Sequence, residues 1–370
     1  MGPGSGEPPA PHIRANALVT RFVAEHLAAR TFNTFPDAPG HRDYVIAAAR
    51  ARGLEVVKVA DGHYFYRGGN PVGGIRRMVT TLVGHQAVLI CGAKHLTRGL
   101  LTAAGVPVPR GADFAPGELE QARAFVRSLG APAVVKPSRG RGGGGVTVAV
   151  TTETGLEAAW ARARATGERG DRILVEQQME GVDVRAFVVQ DAVVAAAVRV
   201  PAHVVGDGHS SLAALIEHKQ REREHHAYLA RMPLVVDERL LRATDRAPDS
   251  VPAEGQVVLL DGVANLHQGG ESLDVTDLLA EPVKELAVRA VRAIPGLGVA
   301  GVDLMVRSLD DTAGAVVLEA NTSANISVHH RPAYGRAIDV GAAIVDAMLE
   351  RHTLQPDRTP PGAASARAGD

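Results

Sequence analysis

Cysteine is almost absent: Cys91, in AVLICGAK, is the one thiol in 370 residues. No intramolecular disulfide and no cysteine zinc site can form, which suits a reducing compartment, and Cys91 itself reads as a core residue. Lysine is scarce as well. Lys58, Lys94, Lys136, Lys219 and Lys284 stand among a basic complement that is otherwise arginine, so each retained lysine is informative. No run of about 18 apolar residues exists to span a bilayer. The N-terminal MGPGSGEPPAP lacks the charged-then-apolar layout of a signal segment. Charge of one sign is lacking too: 40 basic against 41 acidic residues give −1 overall, with no basic field to attract nucleic acid or an anionic membrane. These absences predict a soluble cytoplasmic protein whose partners are small molecules.

The length allows a large core split over two or three domains. Residues 12–92 alternate helical patterns (LVTRFVAEHLAAR, DYVIAAARARG) with strand patterns (LEVVKVA, QAVLI), which predicts a small α/β unit. A second unit, 93–180, runs from helix KHLTRGLLTAAG through strand AVVKPS, a glycine loop and strand GVTVAV to RILVEQQ. A third, 181–353, holds strands VDVRAFVVQ and AVVAAAVRVPA, the charged helix SSLAALIEHKQREREHHAYLAR, helix EPVKELAVRAVRAI and a closing helix. The Pro/Gly/Ala-rich ends, 1–11 and 354–370, read as disordered tails.

What is present in strength is a set of oxygen ligands near the C-terminus. RSLDDTAG (307–314) is rich in turn residues and lies between GVDLMV and VVLEAN, which predicts an antiparallel hairpin. With the turn centred on Asp311, Asp303 falls opposite Glu319, and strand alternation puts Asn321 on the face of Glu319. Two carboxylates that close are costly unless a cation sits between them, and Mg²⁺ takes one or two carboxylates plus phosphate oxygens. An acidic hairpin end facing solvent is the alternative.

Gly140, Gly142 and Gly145 in SRGRGGGG spell G-x-G-x-x-G, yet the strand VTVAV follows where a dinucleotide fold needs a helix. No G-x-x-x-x-G-K-[ST] occurs. The remaining reading is a glycine hairpin tip that closes over phosphates with backbone N–H groups, Lys136 at its base; a plain surface loop is the alternative.

Lys94 in KHLTR, Lys136 in VVKPS, the loop 138–145, VEQQMEGVD (175–183), Asp303 and LEAN (318–321) occur in the order and spacing of the ATP-grasp superfamily, which residues 94–350 resemble. Within it RVPAHVVGDGHSSLAALI and ANLHQGGESLDVTD resemble the ATP-grasp domain of cyanophycin synthetase, and more weakly the glutathione-synthesising module of bifunctional glutathione synthetases. The resemblance implies an α+β ATP-grasp fold, two subdomains clasping ATP, preceded by a small α/β domain. It implies Asp303, Glu319 and Asn321 as ligands of Mg²⁺, two ions with Mn²⁺ as a substitute. Lys94, Lys136, Ser138, Gly142, Gly143 and Gly144 are implied as phosphate contacts, and Glu176, Gln177 and Gln178 as the hinge meeting adenine. Asp183 matches the ribose ligand, with a plain turn acid as the alternative. Arg185 and Arg199 match arginines facing phosphate and substrate carboxylate, with a structural ion pair as the alternative. Lys136 and Arg199 would offset charge on the transferring group.

The implied activity is an ATP-dependent amino-acid or peptide ligase working through an acyl phosphate. Its alternatives are ligation of another carboxylate or a non-catalytic ATP-binding protein. Similar ligases are usually homodimers, the assembly the resemblance implies. Two loops depart from the pattern and touch substrate choice: His267, Gln268 and Gly269 in ANLHQGG, and His329, His330 and Arg331 after the metal strand. Cyanophycin synthetase continues into a second ATPase domain and nothing follows residue 353 here but a tail, so polymer growth is not expected. His218, His225 and His226 read as a solvated helix face.

Overall fold

The computed structural model describes residues 11–140, 143–168 and 170–353. The predicted tails, apart from Pro11, lie outside the described residues.

The N-terminal part comprises α1 (Pro11–His26), α2 (His41–Ala51), β1 (Glu55–Val59), β2 (Gly62–Arg67), β3 (Asn70–Arg76), β4 (Val79–Thr80), α3 (His85–Cys91) and α4 (Lys94–Ala103). Its four strands form an antiparallel meander, so this part is α+β rather than the expected α/β. The tight turn between β2 and β3 is Gly68–Gly69, both at positive φ, as such hairpins require. QAVLI, expected as a strand, is helical in α3. A five-residue apolar run carries no period that separates the two.

A second antiparallel sheet, in the order β5-β8-β6-β7, is built from β5 (Gly111–Phe114), β6 (Ala133–Pro137), β7 (Thr147–Val150) and β8 (Ile173–Gln177). Helices α5 (Leu119–Leu129) and α6 (Glu153–Thr166) cover it and share its core with Trp160 and Phe114.

The remaining chain gives β9 (Val182–Val189), β10 (Ala192–Val200), β11 (His203–Val205), α7 (Leu212–Glu224), α8 (Glu238–Ala243), β12 (Val257–Leu259), β13 (Glu271–Asp274), α9 (Glu281–Arg292), β14 (Val299–Val306), β15 (Val316–Asn321), α10 (Ser327–His330) and α11 (Val340–Thr353). Its main sheet runs β13-β10-β9-β14-β15, antiparallel throughout.

Alternation along β9 decides what each face of this sheet does. Val184, Ala186 and Val188 point to the core made with α9, whose Val283, Leu286, Ala287, Ala290 and Val291 recur at helical spacing and are all buried. Fully burying such a side chain contributes roughly 1.5–3 kcal/mol. The opposite face splits along its length. Phe187, Val189, Ala195 and Val299 share a core with Tyr44, Phe65 and Ile75 of the N-terminal part and with Ile344 and Met348 of α11. The other end of that face is polar. Among the described residues no helix is long and apolar enough to cross a membrane.

Candidate active site

The polar end of the five-stranded sheet is assembled by register. Arg199 pairs across from Asp183, Arg185 from Asp303, and Asp303 in turn from Glu319. The expected opposition of Asp303 and Glu319 is therefore present, and a bulge follows at once, between Asp303 and Leu304. Asn321 shares the face of Glu319 and donates from Nδ2 to Glu319 Oε1 at 2.9 Å and to Asp303 Oδ2 at 3.4 Å.

The repulsion between the carboxylates is met by arginine. Arg185 grips Asp303 through Nε and Nη2, the latter at 2.9 Å. Arg199 donates from Nε and Nη2 to Asp183 Oδ1 at 2.9 and 2.6 Å and lies 3.2 Å from Asp303 Oδ2. Burial pushes both acids toward the neutral form. At Asp303 the two guanidiniums outweigh it and hold the carboxyl below the usual carboxylate range, whereas Asp183, with the Asp303 charge beside it, stays raised. The ion-pair alternative for Arg185 and Arg199 is thus realised, and Asp183 is engaged by Arg199 rather than open to a ribose.

Lys94 links this patch to the glycine loop. Its Nζ donates to Gly140 O at 3.1 Å and stands 3.9 Å from Glu319 Oε2. Burial lowers its pKa against the pull of Glu319. Lys136 is paired to Glu176 Oε2 at 2.6 Å across β6 and β8.

Three expectations for the nucleotide change. Ser138 is fully buried, its Oγ 2.5 Å from His95 Nδ1 and its carbonyl accepting from Lys94 N, so it fixes the start of α4 instead of facing a phosphate. The backbone N–H groups of Gln177 and Gln178 are already donated to Arg110 O and Pro132 O. The Gln178 side chain accepts from Ala149 N at 2.6 Å, and Glu176 is taken by Lys136. Gly143 and Gly144 are exposed at the loop tip, while Gly142 lies outside the described residues.

The substrate expectations divide. His329 is buried against Phe187, near enough to Arg185 for its charge to be felt, and its Nε2 has no hydrogen-bond partner. His330 stacks on Tyr44 at 3.8 Å and its Nε2 accepts from Gly341 N at 3.2 Å. Arg331 is committed to Asp37 and packs over Phe35 and Tyr44. His267 and Gln268 are exposed, His267 touching Met232 Sδ. Gly269 is buried at φ +93°, where a Cβ would meet Leu234.

Burial lowers His329 to about 3 and His330 to about 4, so both are neutral at pH 7. In the unfolded chain they titrate near 6.5. A lowered folded pKa means that, as pH falls below about 6.5, the unfolded state takes up protons the fold refuses. Each histidine then removes up to about 1.4 kcal/mol per pH unit until its folded pKa is reached. Urea unfolding from pH 7 to 5 is expected to show this loss. His330→Phe should lower stability at pH 7, because Gly341 N loses its acceptor, yet flatten the slope by one proton; an unchanged slope contradicts the assignment.

The helix face expected to be solvated is not uniformly so. His218 is exposed, but Lys219, Arg223 and His226 are buried. Lys219 Nζ donates to Tyr334 Oη at 2.6 Å, lies 3.0 Å from Glu271 Oε2 and packs over Phe32; Arg223 Nη1 donates to Glu271 Oε1 at 3.2 Å and to Gly269 O at 3.1 Å. This buried network ties α7 to the start of β13 and escaped the sequence reading. The scarcity of lysine was the available signal at Lys219.

A glycine loop and lysine on one antiparallel sheet, joined through Lys94 to an acidic patch on a second, define an ATP-grasp protein. The chain belongs to the ATP-grasp superfamily. Residues 92–204 match the family model for the phosphoribosylglycinamide synthetase ATP-grasp (A) domain. Cyanophycin synthetase of Trichormus variabilis is 34% identical over 288 residues, covering 74% of this chain and 31% of that protein. The bifunctional glutathione biosynthesis protein of Desulfotalea psychrophila is 30% identical over 279 residues, covering 73% and 35%. The crystal structure of a bifunctional glutathione synthetase from Pasteurella multocida superimposes with a TM-score of 0.62 at 26% identity, over 83% of this chain and 44% of that one. The chain thus spans about a third of the length of the curated relatives it matches.

Proposed function

We propose that the protein is an ATP-dependent carboxylate–amine ligase that joins two amino acids, or an amino acid and a peptide, through an amide bond. The observation that carries this reading is the oxygen patch of Asp303, Glu319 and Asn321 held next to Lys94 and the glycine loop. Hard oxygen donors of this kind suit Mg²⁺. Glu319 and Asn321 would hold the ion directly; Asp303 would join once Arg185 yields an oxygen and the Asn321 amide turns its Oδ1 inward. When bound, the ion would offset the negative charge of the ATP phosphates.

In this reading the γ-phosphoryl passes to a substrate carboxylate, giving ADP and an acyl phosphate. The second substrate's amine then attacks the acyl carbon, phosphate leaves, and the amine loses a proton. Lys94 and Lys136 stabilise charge on the phosphates, Lys136 after parting from Glu176. Arg185 and Arg199 orient a substrate carboxylate. The glycine loop closes to keep water from the acyl phosphate. No protein nucleophile is required.

The same reading keeps the division of the chain at 92/93 and 180/181. It also includes an acidic amino acid as donor, Mn²⁺ as a substitute ion, a homodimer and a cytoplasmic setting. The test is phosphate release from Mg²⁺ and ATP against a matrix of amino-acid pairs, with mass spectrometry of positive wells. A pair-dependent signal matched by a product one water lighter than its substrates is expected. Silence across the matrix despite ATP binding would exclude amino acids as substrates.

A further inference from the structure

The segment that follows β15 folds back over the arginine end of the sheet. A Cβ added at Gly301 of β14 would meet both Ala324 Cβ and Arg185 Cδ, so these two side chains pack on one glycine. The next residue, Asn325, has its amide fixed by its neighbours. Oδ1 accepts from Ser327 N at 2.8 Å, which leaves Nδ2 to donate to Tyr228 Oη at 2.5 Å. Tyr228 comes from the turn after α7 and is buried in the core. Burial holds its hydroxyl protonated, against the bond from Asn325 and the nearby charge of Arg185. Because Tyr228 Oη accepts from Asn325, its own hydrogen must be donated elsewhere. Arg185 is a cation and cannot take it. Arg185 itself spends Nε and Nη2 on Asp303, which leaves Nη1 over. Among the described residues nothing accepts from Tyr228 Oη or from Arg185 Nη1. His329, 2% exposed and against Phe187 of the same sheet face, adds a third uncommitted polar atom, Nε2. Native folds seldom leave such groups unpaired.

We propose that Tyr228, oriented by Asn325, is a substrate-binding residue whose O–H, together with Arg185 Nη1, receives the substrate carboxylate that is not phosphorylated. The inference rests on the ligase reading and adds to it a residue and a ligand class, an α-carboxylate. A donor with a second carboxyl carries one, and so does an acceptor amino acid. Hydrogen bonds to an ionised oxygen are shorter and about twice as strong as neutral ones. Arg185 supplies charge, and the hydroxyl, held by the Asn325 amide, supplies direction for the second oxygen. An α-amide offers the two donors one oxygen and sets an NH₂ against one of them, so it fits less well.

Isothermal titration of the full chain, saturated with AMP-PNP and Mg²⁺, tests this with the twenty protein amino acids as probes. Each one that binds is compared with its α-amide, L-isoglutamine in the case of glutamate. The acid is expected to bind at least about tenfold tighter than the amide. Tyr228→Phe should weaken the acid about 10–100-fold, the worth of a hydrogen bond to a charged group, and should lower the preference over the amide. Asn325→Asp separates binding from packing. Its carboxylate still accepts from Ser327 N and still partners Tyr228, but it captures the hydroxyl hydrogen and repels a second carboxylate. Binding should fall at least as far as in Tyr228→Phe. Wild-type affinity in Asn325→Asp, equal binding of acid and amide, or no amino acid bound at all would overturn the assignment and leave Tyr228 a packing residue. Steady-state phosphate release tells the two sources of the carboxylate apart, since Tyr228→Phe should raise KM for the substrate that bears it. Turnover that Glu319→Gln abolishes, with both KM values unchanged in Tyr228→Phe, overturns the role of Tyr228 alone. Absence of turnover with every pair sinks the ligase reading, while the titration still judges Tyr228.

Discussion

Glu319→Gln is expected to lower ATP-dependent phosphate release by about 10²–10³-fold, the cost of removing one preorganised charge-stabilising group from such a site. The same substitution should leave the fold almost untouched. Glu319 is about one-third exposed, its nearest cation is Lys94 at 3.9 Å, and Lys94 keeps Gly140 O as an acceptor when the charge is gone. A partly exposed pair at that distance contributes at most about 1 kcal/mol. Activity and stability are thus predicted to separate at this residue. Steady-state kinetics at saturating Mg²⁺ beside a urea unfolding curve would show it, and turnover within a factor of three of wild type would remove Glu319 from the ion.

Asp303→Ala is expected to behave differently, failing in both assays. Asp303 is 4% exposed and, among the described residues, is the only carboxylate bonded to the buried Arg185 guanidinium, whereas Arg199 retains Asp183. Removing it strands a positive charge in the sheet, a change that typically costs about 3–5 kcal/mol. The sign of the pH dependence follows from the lowered folded pKa. The stabilisation by Asp303 is complete above the unfolded value near 3.9 and is lost only as pH falls through the folded one. The deficit of the variant should therefore be at its full size at pH 7 with no nucleotide present. Asp303→Ala unfolding at the wild-type urea concentration would mean that Arg185 finds another partner.

These two residues differ in a way the sequence only half disclosed. Turn residues between two β-prone runs fixed the register that opposes Asp303 and Glu319, because a hairpin and strand alternation are local properties. Arg185 and Arg199 come from strands more than a hundred residues before Asp303. Whether a guanidinium faces a substrate or a buried carboxylate depends on which strands become neighbours, and no local pattern encodes that. Ser138 shows the same limit. Its motif marked it as a phosphate contact, but the packing of α4 onto β6 gives its hydroxyl to His95.

The fold was legible where periods were long and punctuated, as in α9 or the β9–β10 hairpin. It was least legible in the N-terminal meander. There Gly68–Gly69 between two short strands was the turn signal, and QAVLI offered no period to weigh against it. Residues 210–231 mislead in another way. A run dense in charge reads as solvent-facing, yet Lys219 and Arg223 lie inward because Glu271, Tyr334 and backbone carbonyls compensate them there. Composition cannot reveal a partner fifty residues away.

In the proposed ligase the β14–β15 hairpin holds the ion that binds ATP. A crystal structure with AMP-PNP and Mn²⁺, with anomalous density locating the ion, tests it directly. An ion is expected about 2.0–2.3 Å from oxygens of Glu319 and Asn321, with Asp303 turned partly from Arg185 toward it and Lys94 on the phosphates. An ion bound elsewhere, with Asp303 still gripped by Arg185 and Glu319 without a metal contact, would contradict it.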